Sequence, residues 1–162
     1  MTPDRLFPLL VFLGSGALLL GALAFQYIGG LAPCPLCLWQ RYPHVAVLVV
    51  AGFAVLFAPP RARVWLLALC GVILLVGAGI AMFHVGVEQK WWEGLPTCSG
   101  AVDMTRLSPE EMRKMIMSGP PARCDAVAWS LFGISMAGYN FLISLALAVF
   151  ALRAALRLRK PA

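Results

Sequence analysis

Charge is what this sequence has least of. Only 12% of its 162 residues are charged and 61% are hydrophobic, whereas about a quarter of an ordinary soluble domain is charged. That scarcity excludes a water-soluble globular chain. Acidic residues are rarer still, 7 against 13 basic ones. The chain also lacks a glycine-rich dinucleotide fingerprint and a CxxCH haem-attachment site, and it has 2 histidines. These absences remove nicotinamide and covalently attached haem as electron carriers.

What is present is hydrocarbon, in four runs at roughly 7–28, 42–58, 64–87 and 137–154. A helix rises 1.5 Å per residue, so about 20 residues cross a hydrocarbon core about 30 Å thick. The second run is short unless interfacial Trp39, Tyr42 and Pro43 are counted in. Lipid offers a backbone no hydrogen-bond partners, so the spans are helices. The expected fold is an all-α membrane protein, a single four-helix transmembrane domain over residues 1–162 with two outward loops at 29–41 and 88–136. Ala22-Leu23-Ala24 mimics a signal-peptide cleavage site. The apolar run continues past it to Ile28, beyond the length of an h-region, and is read as a span.

Basic residues set the orientation. Arg5, then Arg61 and Arg63 in APPRAR, then Arg153, Arg157, Arg159 and Lys160 fall on one side of a four-span chain, and that side is cytoplasmic by the lysine and arginine bias of short loops. Both termini are therefore expected in the cytoplasm and both outward loops in the periplasm, across a bacterial inner membrane. The net charge of +6 is mostly a topology signal. A nucleic-acid patch is a poor reading, because the tail basics lie beside a span and suit anionic lipid head groups.

The cysteines are the most informative residues. Cys34, Cys37, Cys98 and Cys124 fall on the outward side, while Cys70 lies inside the third span, where it packs as a small apolar residue. An even number in a disulfide-permissive compartment implies two pairs. Cys34 with Cys37 and Cys98 with Cys124 is the natural assignment among three connectivities. Cys98 with Cys124 could simply staple a long loop, worth about 3.5 kcal/mol. Cys34 with Cys37 makes a poor staple, since so short a ring gains little entropy, and its two-residue spacing is the one used for thiol exchange. A four-thiolate zinc site needs clustering that the separated second pair does not supply, so no metal is expected.

Thiol exchange needs a thiolate, and Arg41 offers a field that favours one. If the chain is helical from Cys37 onward, the two residues share a face at i and i+4. Pro43 complicates this: either the turn is kinked or the regular helix begins only near Pro43. The plainer reading of Arg41 is a snorkelling interfacial arginine. A two-electron acceptor resident in the bilayer completes the chemistry. A quinone needs an apolar slot near the interface, a donor to its carbonyl and a nearby thiolate, and Arg41 and His84 can supply the polar contacts. The plainer reading of His84 is an interfacial histidine satisfied by backbone or water. Two rival functions stand beside this one: a b-type haem carrier with His44 and His84 as axial ligands, and a non-enzymatic membrane protein with structural disulfides.

The string Cys34-Pro35-Leu36-Cys37-Leu38-Trp39-Gln40-Arg41-Tyr42, the four spans, the long second loop with two more cysteines and the run from Trp129 to Met136 together resemble the disulfide bond formation protein B family, DsbB. The resemblance implies a thiol:quinone oxidoreductase. In it Cys98 and Cys124 oxidise a soluble DsbA-like, thioredoxin-like partner, Cys34 and Cys37 reoxidise that loop pair, and ubiquinone or a related quinone such as menaquinone takes electrons from Cys37. It also implies that Arg41 and His84 bind the quinone. His44 and Cys70 lie outside the family pattern, and Ala137 stands where a proline is common. The related vitamin K epoxide reductase type of four-helix enzyme carries its CxxC late in the bundle, whereas this one precedes the second span.

Within the long loop, Ser108-Pro109-Glu110-Glu111 combines an N-cap, a first-turn proline and a capping-box glutamate. A short amphipathic helix is expected to follow, with Met112, Met115 and Ile116 on one face, ending at Gly119-Pro120-Pro121. It either lies in the interface or covers the thiol turn. Trp91 and Trp92 belong to an aromatic belt. Cys98, in LPTCSG, reads as the exposed cysteine that a partner attacks, and Cys124, near the interface, as the one that meets Cys34.

Overall fold

The computed structural model describes residues 3–98, 108–110, 113 and 122–159. Its helices are α1 (Pro3–Tyr27), the short α2 (Pro35–Trp39), α3 (Arg41–Leu56), α4 (Pro60–Glu88) and α5 (Met136–Arg159). With α2 and α3 taken as one segment, four helices are long and apolar enough to cross a membrane. The fold is the all-α, four-span bundle that the composition requires. Helical structure runs past the apolar segments at several ends, since intrahelical bonds also satisfy polar flanks.

The second span shows how local sequence sets geometry. Pro43 has no N–H, and its ring in a continuous helix would press on the carbonyl of the residue four before it, Trp39. The chain instead breaks at Gln40, whose N–H closes α2 on the Leu36 carbonyl at 3.1 Å. A new helix begins at Arg41, so Pro43 sits in its first turn, where a missing donor costs nothing. The regular helix therefore starts near Pro43, and Cys37 and Arg41 do not share one continuous helix. The span reaches back to Pro35 and measures 22 residues, which removes the shortness expected of 42–58.

One end of the bundle is tied by charge. Asp4 at the start of α1 pairs with Arg63 in the first turn of α4, and Arg63 Nε also donates to the Ala54 carbonyl at 3.1 Å. Arg159 at the end of α5 lies 5.4 Å from the Trp65 ring, a cation–π contact. The two tails and the 57–59 turn thus share one end, and the thiol turn and the long loop share the other. Arg63, one of the basic residues that set the expected orientation, is buried and paired.

Between the ends, Val11, Val47, Leu67, Cys70, Leu74, Ala148 and Ala151 form a fully buried core, with Cys70 filling a small apolar position as expected. Large apolar side chains such as Leu20, Val49, Phe57 and Val76 point outward, the arrangement a lipid solvent favours. Helices α4 and α5 approach closely because small residues face each other. A Cβ on Gly71 would stand 2.7 Å from Leu152 Cγ and 3.3 Å from the Ala148 carbonyl. Gly71→Leu is expected to destabilise the bundle by about 1–3 kcal/mol through overpacking. Thermal unfolding of the detergent-solubilised protein measures this, and an unchanged midpoint would contradict the packing.

Two features shape the other end. After α4, Lys90 takes a left-handed φ of 58°, and Trp91 N–H returns to the Gly86 carbonyl at 2.8 Å, a helix stop that turns the chain back over the bundle. Before α5, strands β1 (Ser130–Leu131) and β2 (Ile134–Ser135) pair antiparallel. Their two-residue turn, Phe132 and Gly133 with φ of 51° and 78°, matches the twist of a hairpin. This hairpin was not expected from the sequence. Of the amphipathic loop helix, Pro109, Glu110 and Arg113 are helical, while Met112, Met115, Ile116 and its end lie outside the described residues. Trp91 and Trp92 are exposed beside the end of α4.

Candidate active site

The thiol turn is built on a helix start. Cys34 caps α2, with Pro35 at the first helical position, and its sulfur accepts the Cys37 N–H at 3.2 Å. The same cap brings the two sulfurs to 2.8 Å. Cys98 ends a 3-10 turn, Pro96–Cys98, and forms a disulfide with Cys124 across a Cα separation of 4.9 Å. Backbone pairing supports the bridge, with Cys124 N–H donating to the Cys98 carbonyl at 3.1 Å.

These pairs are not separate features. Cys34, Cys98 and Cys124 are buried in one cluster with Leu36 and Val87. The Cys34 sulfur, the Cys124 sulfur and a ring nitrogen of His84 all lie within 4.8 Å of one another. Such a trio has metal-like spacing, but the Cys124 sulfur is taken by its disulfide. One expectation is corrected here: Cys98 is 1% exposed. Its turn, rich in proline and small residues, packs with Leu95 against Val87 and the thiol turn instead of standing free. Beside Cys124, Arg123 clamps Asp125 with bonds of 2.9 and 2.6 Å. The Arg123 guanidinium holds the half-buried Asp125 carboxyl below its ordinary range.

Arg41 finds an amide for a partner instead of an acid. Its Nη1 donates to Gln26 Oε1 at 2.6 Å and its Nη2 to the Ala22 carbonyl at 3.5 Å. Its Nε is buried and has no hydrogen-bond partner among the described residues. His84, also buried, meets Gln40 through Nδ1 at 2.8 Å, and its Nε2 lies 3.6 Å from the Cys34 sulfur. The backbone partner that the plainer reading of His84 expects is there, in Cys124, and the side-chain contacts add to it. Cys37, Arg41 and His84 all line one largely apolar cleft of about 470 Å³ that runs between α1 and α5.

The haem reading loses its ligands. Both ring nitrogens of His44 are engaged, Nδ1 with Ser15 Oγ and Nε2 with Asn140 Oδ1, each at 2.9 Å. His84 is likewise held on both sides. Sequence reasoning passed over Gln26, Gln40, Glu88 and Asn140, which hold or surround the expected site residues. For Gln26 and Asn140 the available signal was an amide inside an apolar span, since a buried polar group must find a partner.

Sequence comparison decides the family. The profile of the family described as disulfide bond formation protein DsbB matches residues 4–154. The chain belongs to the DsbB family. It is 37% identical over 147 residues to disulfide bond formation protein B of Methylococcus capsulatus (strain ATCC 33009 / NCIMB 11132 / Bath), covering 89% of each chain. It is 29% identical over 160 residues to the protein of the same name from Stutzerimonas stutzeri (strain A1501), covering 96% of each. No solved structure matches it. DsbB membership, with four helices able to span a bilayer, makes this a multi-pass membrane protein of disulfide bond formation, an oxidoreductase activity.

Proposed function

We propose that the chain is a thiol:quinone oxidoreductase that reoxidises a DsbA-like periplasmic dithiol protein and delivers the electrons to a membrane quinone, ubiquinone or menaquinone. The observation that carries this reading is the meeting of the two cysteine pairs, with Cys34 and Cys124 sulfurs within 4.8 Å. Disulfide exchange proceeds by thiolate attack through mixed disulfides, and that contact is where one pair can attack the other.

A partner thiolate attacks Cys98, breaking the loop disulfide and releasing Cys124 as a thiolate. The second partner thiol then frees Cys98 and leaves the partner oxidised. Cys124 attacks Cys34 of the Cys34–Cys37 disulfide, and Cys37 leaves as a thiolate. Cys98 next attacks Cys124, which restores the loop disulfide and releases Cys34. Two electrons now reside on the turn pair.

The cleft fits a quinone. Its walls are mostly apolar, Cys37 lies on it, and the buried Nε of Arg41, without a partner among the described residues, is a donor that a carbonyl oxygen can use. A bound quinone supplies the acceptor for the two electrons and two protons that leave the turn pair. Arg41 would hold it, with Gln26 fixing the guanidinium.

The test is quinone reduction by the purified protein given a reduced thioredoxin-like oxidase. Thiol-dependent loss of quinone absorbance is expected, and its absence would overturn the reading. Orientation is tested separately. An alkaline phosphatase fusion after Lys160 should be inactive and one in the 88–136 loop active, because the basic residues gather at the tail end of the bundle. An active fusion after Lys160 would reverse the topology.

A further inference from the structure

The buried amides and imidazoles beside the thiol turn form one hydrogen-bonded chain, and its polarity can be read from one end. Gln40 Nε2 lies 3.1 Å from the Leu36 carbonyl, which can only accept. The Gln40 amide nitrogen therefore faces Leu36, and its oxygen faces Asn140 Nδ2, which donates at 2.7 Å. That orientation turns Asn140 Oδ1 toward His44 Nε2 at 2.9 Å, so this nitrogen carries the His44 proton. His44 Nδ1 then accepts from Ser15 Oγ. On its other side, Gln40 Nε2 donates to His84 Nδ1 at 2.8 Å. His84 Nδ1 must be bare, and the ring proton sits on Nε2.

That proton faces the chemistry, shared between the Cys124 backbone carbonyl and the sulfur of the thiol turn. His84 Nε2 is 3.6 Å from the Cys34 sulfur, within the reach of a hydrogen bond to sulfur, and 3.9 Å from Glu88 Oε1, too far for one. Glu88 is itself held by the Ser135 hydroxyl. The chain is a poor proton wire, because its links are amides, which hold their protons. It is a good orienting device, because a backbone carbonyl fixes its direction.

We infer that Gln40 is a positioning residue that locks His84 in the Nε2–H tautomer, and that His84 is a catalytic hydrogen-bond donor to the Cys34 sulfur during thiol exchange. The inference rests on the relay proposed above. In its last exchange the Cys34–Cys124 bond breaks as the Cys98–Cys124 bond forms, and the electron pair leaves on Cys34. The His84 N–H stabilises that leaving thiolate and keeps its proton, since hydrogen bonding to the charged form favours it. This moves His84 from a quinone contact to the junction of the two cysteine pairs.

The test uses the full-length protein in detergent, without partner or quinone. With 2 histidines in the chain, ¹⁵N labelling of histidine resolves both rings, and His84 is expected to show a protonated Nε2 and a bare Nδ1. In the fully reduced protein, the pH dependence of Cys34 alkylation is read by peptide mass spectrometry. Cys34 is faced there by Cys37 from α2, by His84 and Glu88 from α4 and by Cys124 from the loop, with Arg41 starting α3. Gln40→Leu should mix the His84 tautomers and raise the Cys34 midpoint by about one pH unit, roughly a tenfold smaller thiolate fraction. His44→Phe should leave the His84 tautomer unchanged, because Leu36 and not His44 sets the direction.

A wild-type His84 protonated on Nδ1, or an unmoved Cys34 midpoint in Gln40→Leu, would overturn the inference. The wild-type spectrum decides the tautomer even if Gln40→Leu does not fold. The failures separate: a wrong relay order shows as a partner trapped on Cys34 or Cys37 while His84 carries its proton on Nε2, whereas failure here shows in the ring nitrogens or the Cys34 midpoint while the partner is on Cys98.

Discussion

Cys124→Ser is expected to abolish turnover and to accumulate a covalent complex in which the soluble partner is joined to Cys98. Without Cys124 there is no loop disulfide, so the Cys98 thiolate attacks the oxidised partner's disulfide, bonds one of its sulfurs and expels the other as a thiolate. No second loop cysteine is left to resolve the mixed disulfide by releasing the partner. Burial of Cys98 at 1% exposure adds a condition, since the 3-10 turn must lift from the thiol turn before a partner can reach it. Loss of the loop disulfide assists that opening, at a cost of about 3.5 kcal/mol in stability. Mass spectrometry of the trapped complex identifies the joined cysteine, and a partner on Cys34 or Cys37 with Cys98 intact would sink the proposed order. The structural-disulfide rival makes the opposite prediction: stability falls while oxidation of other proteins continues.

The fold was largely legible because lipid leaves few solutions for a backbone. Four apolar runs and a clustered set of arginines lead to four helices with both tails at one end, which is what Asp4–Arg63 and Arg159–Trp65 display. Helix boundaries were less legible, because propensity says little about where a break falls; at Gln40 it was decided by the ring of Pro43 three residues later. The hairpin before α5 escaped notice although its two-residue turn contains glycine. Serine at both strand ends and an exposed Phe132 with positive φ gave no alternating pattern to read.

At the site, residue types that carry redox chemistry announced themselves, and those that hold them did not. The CxxC spacing and the arginine four residues on were visible, but Gln26, which holds Arg41, lies 15 residues before it, and Asn140, which holds Gln40, lies 100 after it. No local pattern connects such distances. The depth of Cys98 was missed for a related reason: turn-forming residues predict a bend, whereas burial depends on what the bend packs against.

Arg41→Ala should weaken apparent quinone affinity by roughly ten- to a hundredfold, the loss of one charge-assisted hydrogen bond worth about 1.5–3 kcal/mol. The expectation follows from how the guanidinium is divided. Two of its nitrogens are held by Gln26 and the Ala22 carbonyl, while its buried Nε faces no acceptor among the described residues. A buried donor left without a partner is costly, and a ligand carbonyl in the cleft would relieve that cost. A snorkelling arginine has no such requirement, because its head group reaches water. Arg41→Lys keeps the charge but loses the planar fork that lets one group hold Gln26 and still present Nε, so its affinity should fall between wild type and alanine. His44→Ala should have the smaller effect, because both nitrogens of His44 are satisfied within the protein. Titrating quinone under steady turnover measures all three, alongside thermal unfolding to register any loss of fold. Unchanged affinity and turnover in both Arg41 variants would leave only the snorkelling reading, and equal losses in His44→Ala would return His44 to the site.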